Sequence, residues 1–247
     1  YLDGVTITPD EVYERQKTEL PKTSLPDGAW IEDTFDKIKN NGYEKVIAVH
    51  LSGGISGTFN LVRLLAADYE GLEISVFDSI SGSLGIGLIV LQLAKYIEKG
   101  YTYEKLVEIT PKLIQNTTVF FCVDTLEFLQ KGGRIGKISA MAGTLLQIKP
   151  ILTFAPDGQL TSAEKVRGRK LALEKMAQKI EKLYSGNGAY NIAVANGGCV
   201  EEMNTLKDRI LGSLCEPQFV FESEIDCTLA SYVGPNLLGI GLQILPE

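Results

Sequence analysis

The chain has 247 residues and a formal net charge of -7, with 24 Lys and Arg against 31 Asp and Glu. Its 45% hydrophobic and 22% charged residues are typical of a globular protein with a buried core. The acidic balance argues against bulk attraction to nucleic acid or to an anionic membrane surface. The most apolar run, Leu84–Ala94, is interrupted by Gln92 and falls short of the ~20 residues of a spanning helix. We therefore predict no nucleic-acid partner and no stable membrane insertion.

The cysteine and histidine content limits the chemistry further. The four cysteines show neither a CxxC pair nor the spacing of metal ligands, which indicates reduced thiols and a cytoplasmic location. The one histidine, His50, excludes a cage of histidine ligands. We predict no bound metal and no cofactor.

The first hundred residues predict alternating strands and helices. Val46–Val49 and Ile74–Phe77 are β-branched runs that predict buried strands. The first strand is followed by a Gly- and Ser-rich turn and an amphipathic helix over Phe59–Tyr69. The second is followed by an apolar helix that stops at Gly100. This order predicts a parallel sheet covered by helices, and we assign residues 1–99 to a first α/β domain.

Residues 100–247 have a different pattern, which predicts a second, α+β domain. A helix is predicted over Tyr103–Gln115, and a hairpin turns at Pro156-Asp157-Gly158. Two further short strands flank a helix over Glu201–Leu211. The predicted fold class is therefore α/β, with two domains.

The strongest local signal is the turn Ser52–Thr58 between the first strand and the next helix. Backbone N–H groups at a helix N-terminus attract anions, and Ser52, Ser56 and Thr58 add hydroxyl donors. No Lys or Arg lies between Val49 and Asn60, although a nucleotide phosphate usually recruits a lysine or a metal. The loop therefore favours a carboxylate over a polyphosphate.

Simpler interpretations of this turn stay open. Ser56 or Thr58 could serve only as a helix cap. The segment also resembles the G-x-S-x-G elbow of serine hydrolases, but Thr58 replaces the last glycine and His50 precedes the serine. We therefore do not expect a hydrolase.

Positive charge is concentrated in residues 131–175, which hold nine basic and three acidic residues. A solvated face explains such a stretch, and so does a docking surface for an anionic group or an acidic partner.

Short motifs follow one another along the chain in a recognisable order. They are Tyr1–Gly4, Thr23–Pro26, Ser52–Thr58, Asp78-Ser79 with Ser83 and Gly85, Phe128–Ile135 and Lys165–Lys170. Over essentially its whole length, the chain thereby resembles the DegV family of bacterial fatty-acid-binding proteins.

The resemblance implies two α/β domains with one long-chain fatty acid buried between them. It implies that Thr23 and Ser56 bind the carboxylate, in agreement with the anion argument, and we predict Ser52, Thr58 and Tyr232 as further candidates.

The resemblance also implies a partner. Such proteins present the acid to a separate fatty acid kinase, which uses ATP to make an acyl phosphate for phospholipid synthesis. We predict a binding subunit without catalytic residues of its own, with Arg167 and Arg169 as docking residues for the kinase.

The chain departs from the family pattern in two places. The family carries a His just before a T-G-P-G segment, where this chain has Tyr232. A phenol can donate a hydrogen bond to a carboxylate but does not become cationic near neutral pH, so we expect an altered preference for the head group or altered transfer. The family's opening strand and its D-S-x-x-D-L-P-like turn are missing, so we expect a segment before Tyr1.

Two alternatives from other classes stay open. One is a phosphoryl- or acyl-transfer enzyme with its own nucleotide site in the first domain. The other is a regulatory binder whose bound lipid reports metabolic state.

Overall fold

The computed structural model describes residues 1–141, 148–184, 186 and 188–246. The helices of this part are α1 (Pro9–Arg15), α2 (Gly28–Asn40), α3 (Thr58–Asp68), α4 (Leu84–Glu98), α5 (Tyr103–Gln115), α6 (Glu127–Lys131), α7 (Arg169–Leu183), α8 (Val200–Ser213) and α9 (Cys227–Val233). Its strands are β1 (Lys45–His50), β2 (Glu73–Asp78), β3 (Thr117–Cys122), β4 (Ile148–Phe154), β5 (Leu160–Arg167), β6 (Tyr190–Asn196), β7 (Val220–Glu224) and β8 (Leu238–Ile244).

The small sheet consists of β1 and β2, which pair in parallel from Lys45 opposite Glu73 to His50 opposite Asp78. The connection through α3 makes a β-α-β unit, because parallel neighbours require a crossover. The apolar faces of α2 and α3 form one buried cluster with side chains of β2. The predicted parallel sheet covered by helices is confirmed.

The large sheet has six strands in the order β5-β4-β3-β8-β6-β7. Only β6 and β7 pair in parallel; the other neighbours are antiparallel. The hairpin of β4 and β5 turns at residues 155–159, as its turn residues predicted. Helices α7 and α8 cover one face and bury residues such as Met176 and Ile210. The mixed α/β fold class is confirmed.

Helix α4 lies between the two sheets, which explains why it is apolar on nearly all sides. Its Leu84 and Leu88 pack in one cluster with side chains of β3 and β6. Its Ile89 and Leu93 pack in another with Val49 of β1 and with α5. The predicted domain boundary at residue 99 falls directly after this shared helix, and the boundary stays a prediction.

The N-terminal segment, residues 1–26, lies on the C-terminal part of the chain. The buried Val12 of α1 belongs to the same apolar cluster as Ala230 of α9. The Asp3 carboxylate accepts hydrogen bonds from the backbone N–H groups of Cys227 and Thr228, both at 2.9 Å. These contacts place the segment beside the large sheet and the main cavity.

Candidate functional site

The main cavity has a volume of about 770 Å³ and is lined by polar and by apolar side chains. Such a volume lies within the ~300–1,000 Å³ of small-molecule sites. The residues with hydroxyl groups that line it are Tyr1, Thr23, Ser24, Ser56, Thr58, Thr228 and Tyr232. The buried apolar side chains that line it belong to Phe121, Leu129, Leu160 and Val233. The cavity therefore suits an amphipathic molecule with one polar end.

Ser56 and Thr58 lie side by side at the polar end. Their hydroxyl oxygens are 2.9 Å apart, and the N–H of Thr58 donates to the Ser56 hydroxyl over 3.2 Å. The N-cap of α3 is Gly57, which makes no side-chain cap bond, so neither Ser56 nor Thr58 is the N-cap residue. Ser56 contacts the start of the helix and also lines the cavity.

Most backbone N–H groups of the Ser52–Thr58 loop donate hydrogen bonds within the protein. They are therefore not free to bind an anion, although the sequence had suggested that they are. The N–H of Gly53 donates to the Asp78 carboxylate over 3.0 Å, and those of Ile55 and Ser56 donate to the Ser52 carbonyl. Within the described residues, the N–H of Gly57 has no partner. An anion at this loop would therefore be bound mainly by side chains.

Ser52 lies outside the cavity lining and is fully buried. Its hydroxyl donates to the Gly158 carbonyl over 2.8 Å and accepts from the Gly54 N–H over 3.2 Å. A Cβ at Gly54 would lie 2.4 Å from the Gly158 carbonyl carbon, so the loop must be bare here to pack on the β4–β5 turn. The carboxylate-binding role predicted for Ser52 stays a prediction, and its contacts favour a structural role.

Thr23 and Tyr232, distant in sequence, meet at the cavity: their hydroxyl oxygens are 2.6 Å apart. Thr23 lies in the loop before α2, which begins where the Asp27 carboxylate accepts from the Ala29 N–H. Tyr232 lies in the last turn of α9, which ends at Gly234 with a left-handed φ of 69°. Helix ends from both halves of the chain thus place this pair.

Arg134 lines the main cavity but was not among the site residues predicted from the sequence. Its Nε donates to the Ile55 carbonyl over 3.3 Å, and its Nη1 donates to the Gly132 carbonyl over 2.9 Å. Its guanidinium carbon lies 5.0 Å from the centre of the Tyr232 ring, a cation–π geometry. The donors predicted from the sequence were hydroxyl groups, and the fold adds to them a cation from a remote segment. The motif Phe128–Ile135 was the available signal.

The predicted docking residues Arg167 and Arg169 differ in their surroundings. Arg167 is exposed at the end of β5. Arg169 forms an ion pair with Glu202 at 2.6 Å and another with Asp124 at 3.3 Å. Burial opposes the charge of Arg169, but the ion pair with Glu202 outweighs burial and raises its pKa above the ordinary value. Residues 142–147 of the basic stretch lie outside the described residues.

An inner cavity of about 60 Å³ continues the apolar end of the main cavity. The two share Phe121, Phe154, Leu229 and Val233. Leu84 of α4 also lines the inner cavity, which therefore borders the helix between the two sheets.

The described part of the chain contains no group of three or more His, Cys, Asp and Glu side chains that could hold a metal ion. None of its helices has the length and apolar character needed to cross a membrane.

Fold and site together define an α/β protein with two sheets and a cavity that is lined by apolar side chains, hydroxyl groups, two carboxylates and one arginine. The family model described as an uncharacterised protein of the DegV family matches residues 1–244. The chain belongs to the DegV family.

Relatives and solved structures agree with this assignment. A DegV domain-containing protein of Clostridium acetobutylicum is 36% identical over 240 residues, which cover 97% of this chain and 85% of the relative. A DegV family protein of Thermus thermophilus, described for its fatty acid binding, has a TM-score of 0.92 and 30% identity, covering 99% of this chain and 87% of that one. A DegV family protein of Ruminococcus gnavus, described with vaccenic acid, has a TM-score of 0.85 and 25% identity, covering 98% and 86%.

Proposed function

We propose that this protein binds one long-chain fatty acid, with the carboxylate at the polar end of the main cavity and the tail along its apolar end. Ser56, Thr23 and Arg134 supply donors for the carboxylate, and Thr58 and Tyr232 complete its surroundings. The observation that carries the proposal is a main cavity whose lining combines hydroxyl groups and Arg134 with buried apolar side chains. The fatty acid ligands of the structural relatives support it.

The tail supplies most of the binding free energy. Each methylene removed from water contributes ~0.8 kcal/mol, so a dozen contribute about 10 kcal/mol before association costs. A complex of this kind survives purification.

The decisive experiment is a denaturing lipid extraction of the purified protein, followed by mass spectrometry. We expect about one fatty acid per chain. A preparation that yields no fatty acid and binds none after delipidation contradicts the proposal. Trp30 is the single tryptophan, lines the main cavity and is 59% exposed, so its fluorescence reports binding directly.

The head-group assignment has a matched control ligand. Delipidated protein is titrated with hexadecanoic acid and with hexadecanol, which share the tail and differ in the head. We expect the acid to bind about tenfold more tightly, because only a carboxylate forms charge-assisted hydrogen bonds with Arg134 and the hydroxyl groups. Equal affinities would contradict a carboxylate site.

We further propose that a fatty acid kinase is the partner, and that it phosphorylates the bound acid in the cytoplasm, where the four free thiols stay reduced. The exposed Arg167 is the first docking candidate, with the exposed Lys165 and Lys170 beside it. Arg169 is less suited, because Glu202 and Asp124 already engage its guanidinium.

The docking proposal is tested by charge reversal. We expect Arg167→Glu to raise the apparent KM of the kinase for the loaded protein by about tenfold, because a reversed rim charge slows association. Lys182→Glu, at an exposed cation of α7 outside the basic stretch, is the matched control. Equal effects of the two variants would contradict docking at Arg167.

A further inference from the structure

A second cavity of about 430 Å³, here called the glycine hollow, adjoins the polar end of the main cavity. Five glycines line it, together with Gln159 and three residues that also line the main cavity. The shared residues are Ile55, Ser56 and Arg134. Three of the glycines are exposed, so the hollow is open to solvent. A bare backbone on both sides leaves room for a compact polar group next to Ser56.

The wall between the two cavities carries the donors that an anion needs. Arg134 is held by two backbone carbonyls through Nε and Nη1, and within the described residues its Nη2 has no partner. The N–H of Gly57 has no partner in the same part of the chain. The nearby Asp78 carboxylate is already engaged by the N–H groups of Gly53 and Ile80. The Nη2 of Arg134 and the N–H of Gly57 thus remain available beside the Ser56 hydroxyl, which already contacts Thr58.

We propose that the glycine hollow is a subsite for the phosphoryl group of an acyl phosphate, an inference that rests on the proposed function. In the kinase reaction, a carboxylate oxygen attacks the terminal phosphorus of ATP, a new O–P bond forms, and the P–O bond to ADP breaks with its electrons leaving on ADP. The phosphoryl group is then one bond from the carboxylate held at Ser56. The adjoining space must therefore accept a dianion.

A third space of about 260 Å³ also touches Arg134, on the side of Thr23 and Tyr232. Its lining includes the apolar side chains of Leu20 and Phe128. It meets the main cavity through Thr23, Tyr232 and Arg134 and is not lined by Ser56. The glycine hollow, with its bare backbone and the shared Ser56, is the better fit for a compact dianion.

The test uses 2-oxoheptadecylphosphonate, a non-hydrolysable analogue of an acyl phosphate, and palmitate, which has the same tail. Gly133 has a left-handed φ of 73°, and a Cβ added there would meet nothing within 4 Å. Asp and Asn tolerate this backbone region, so Gly133→Asp and Gly133→Asn differ in charge but not in shape. We expect the Asp variant to bind the phosphonate about tenfold more weakly than the Asn variant does, because like charges repel. For palmitate, we expect the affinities of the two variants to differ by less than about threefold.

The other outcomes are equally distinct. Equal phosphonate affinity of the two Gly133 variants overturns the inference. So does a loss of phosphonate binding in Lys22→Glu, since Lys22 lines only the third space. Palmitate binding without phosphonate binding in the unmodified protein defeats the phosphoryl subsite alone. Failure to bind palmitate defeats the proposed function together with the inference.

Discussion

Ser56 lies just before α3 and lines the main cavity, so its hydroxyl can be tested as a ligand contact. We expect Ser56→Ala to weaken fatty acid binding by about tenfold, because a hydrogen bond to a charged group contributes ~1.5–3 kcal/mol and Thr58 replaces part of it. Fluorescence titration of Trp30 measures the change. An unaltered Kd would contradict the contact.

Ser52→Ala is the structural counterpart of that variant. Its hydroxyl bonds to the Gly158 carbonyl and lies outside the cavity lining. Loss of this contact is expected to lower Tm, while folded protein keeps its affinity for the acid.

His50 makes stability depend on pH. Burial lowers the pKa of His50, and its Nε2 has no partner among the described residues. Below the ordinary pKa of ~6.5 the unfolded chain therefore binds more protons than the folded chain, and stability falls as pH falls towards the lower folded pKa. We expect His50→Gln to lose less free energy of unfolding than the unmodified protein between about pH 7.5 and 5.5. Urea denaturation at both pH values checks this, and parallel losses would contradict it.

At the scale of single elements, Gly132 of the α6 C-terminus sets the position of the Tyr232 ring. A Cβ at Gly132 would lie 2.4 Å from a ring carbon of Tyr232. We expect Gly132→Ala to displace the ring from Thr23, to cost ~1–3 kcal/mol of stability and to weaken binding. Thermal denaturation and titration measure the two effects.

Gly212 of α8 is the control for that substitution. Nothing lies within 4 Å of a Cβ added there. Alanine at this helical position is expected to stabilise the protein by ~0.5–1 kcal/mol. Similar effects of the two substitutions would show that the Tyr232 ring is not the cause.

The local sequence pattern predicted the β1–α3–β2 unit and the β4–β5 hairpin. In both, adjacent residues determine the structure: a glycine-rich turn leads from a strand into a helix, or a tight turn joins two strands. It did not predict α9, which is a helix of only seven residues. Nor did it predict β8 as a central strand of the large sheet. Gly241 of β8 lies against Leu88 of α4, where a Cβ would be 2.9 Å from Leu88 Cδ1. Such close approach is a tertiary requirement that no local pattern contains.

The candidate site shows the same division. Ser56 and Thr58 share one turn, so their proximity followed from the sequence. Thr23 was paired with Ser56 only through the family resemblance. Arg134 donates to a carbonyl 79 positions away, so no local window could place it in the cavity.

At the scale of the whole molecule, Asp3 ties the N-terminal segment to α9. Burial acts to raise the pKa of Asp3, but hydrogen bonds from Cys227 and Thr228 outweigh burial and lower it. We expect Asp3→Ala to cost ~1–3 kcal/mol and to speed fatty acid release, because Leu2 and Asp3 line the main cavity. Stopped-flow fluorescence with a competing acceptor measures release.

The matched control is Asp10→Ala, which removes an exposed acid of α1 from the same segment. Hydrogen exchange of residues 1–16 should rise in the Asp3 variant and stay nearly constant in the control. Identical release rates in the two variants would contradict a closing role for Asp3.

The main cavity combines residues from near the two extremes of the printed sequence, since Thr23 meets Tyr232 and Asp3 meets Thr228. During synthesis, the ribosome must deliver α9 before these walls can join. A nascent chain that lacks α9 therefore lacks one wall of the main cavity, and we expect the proposed fatty acid binding to begin only after α9 has been synthesised.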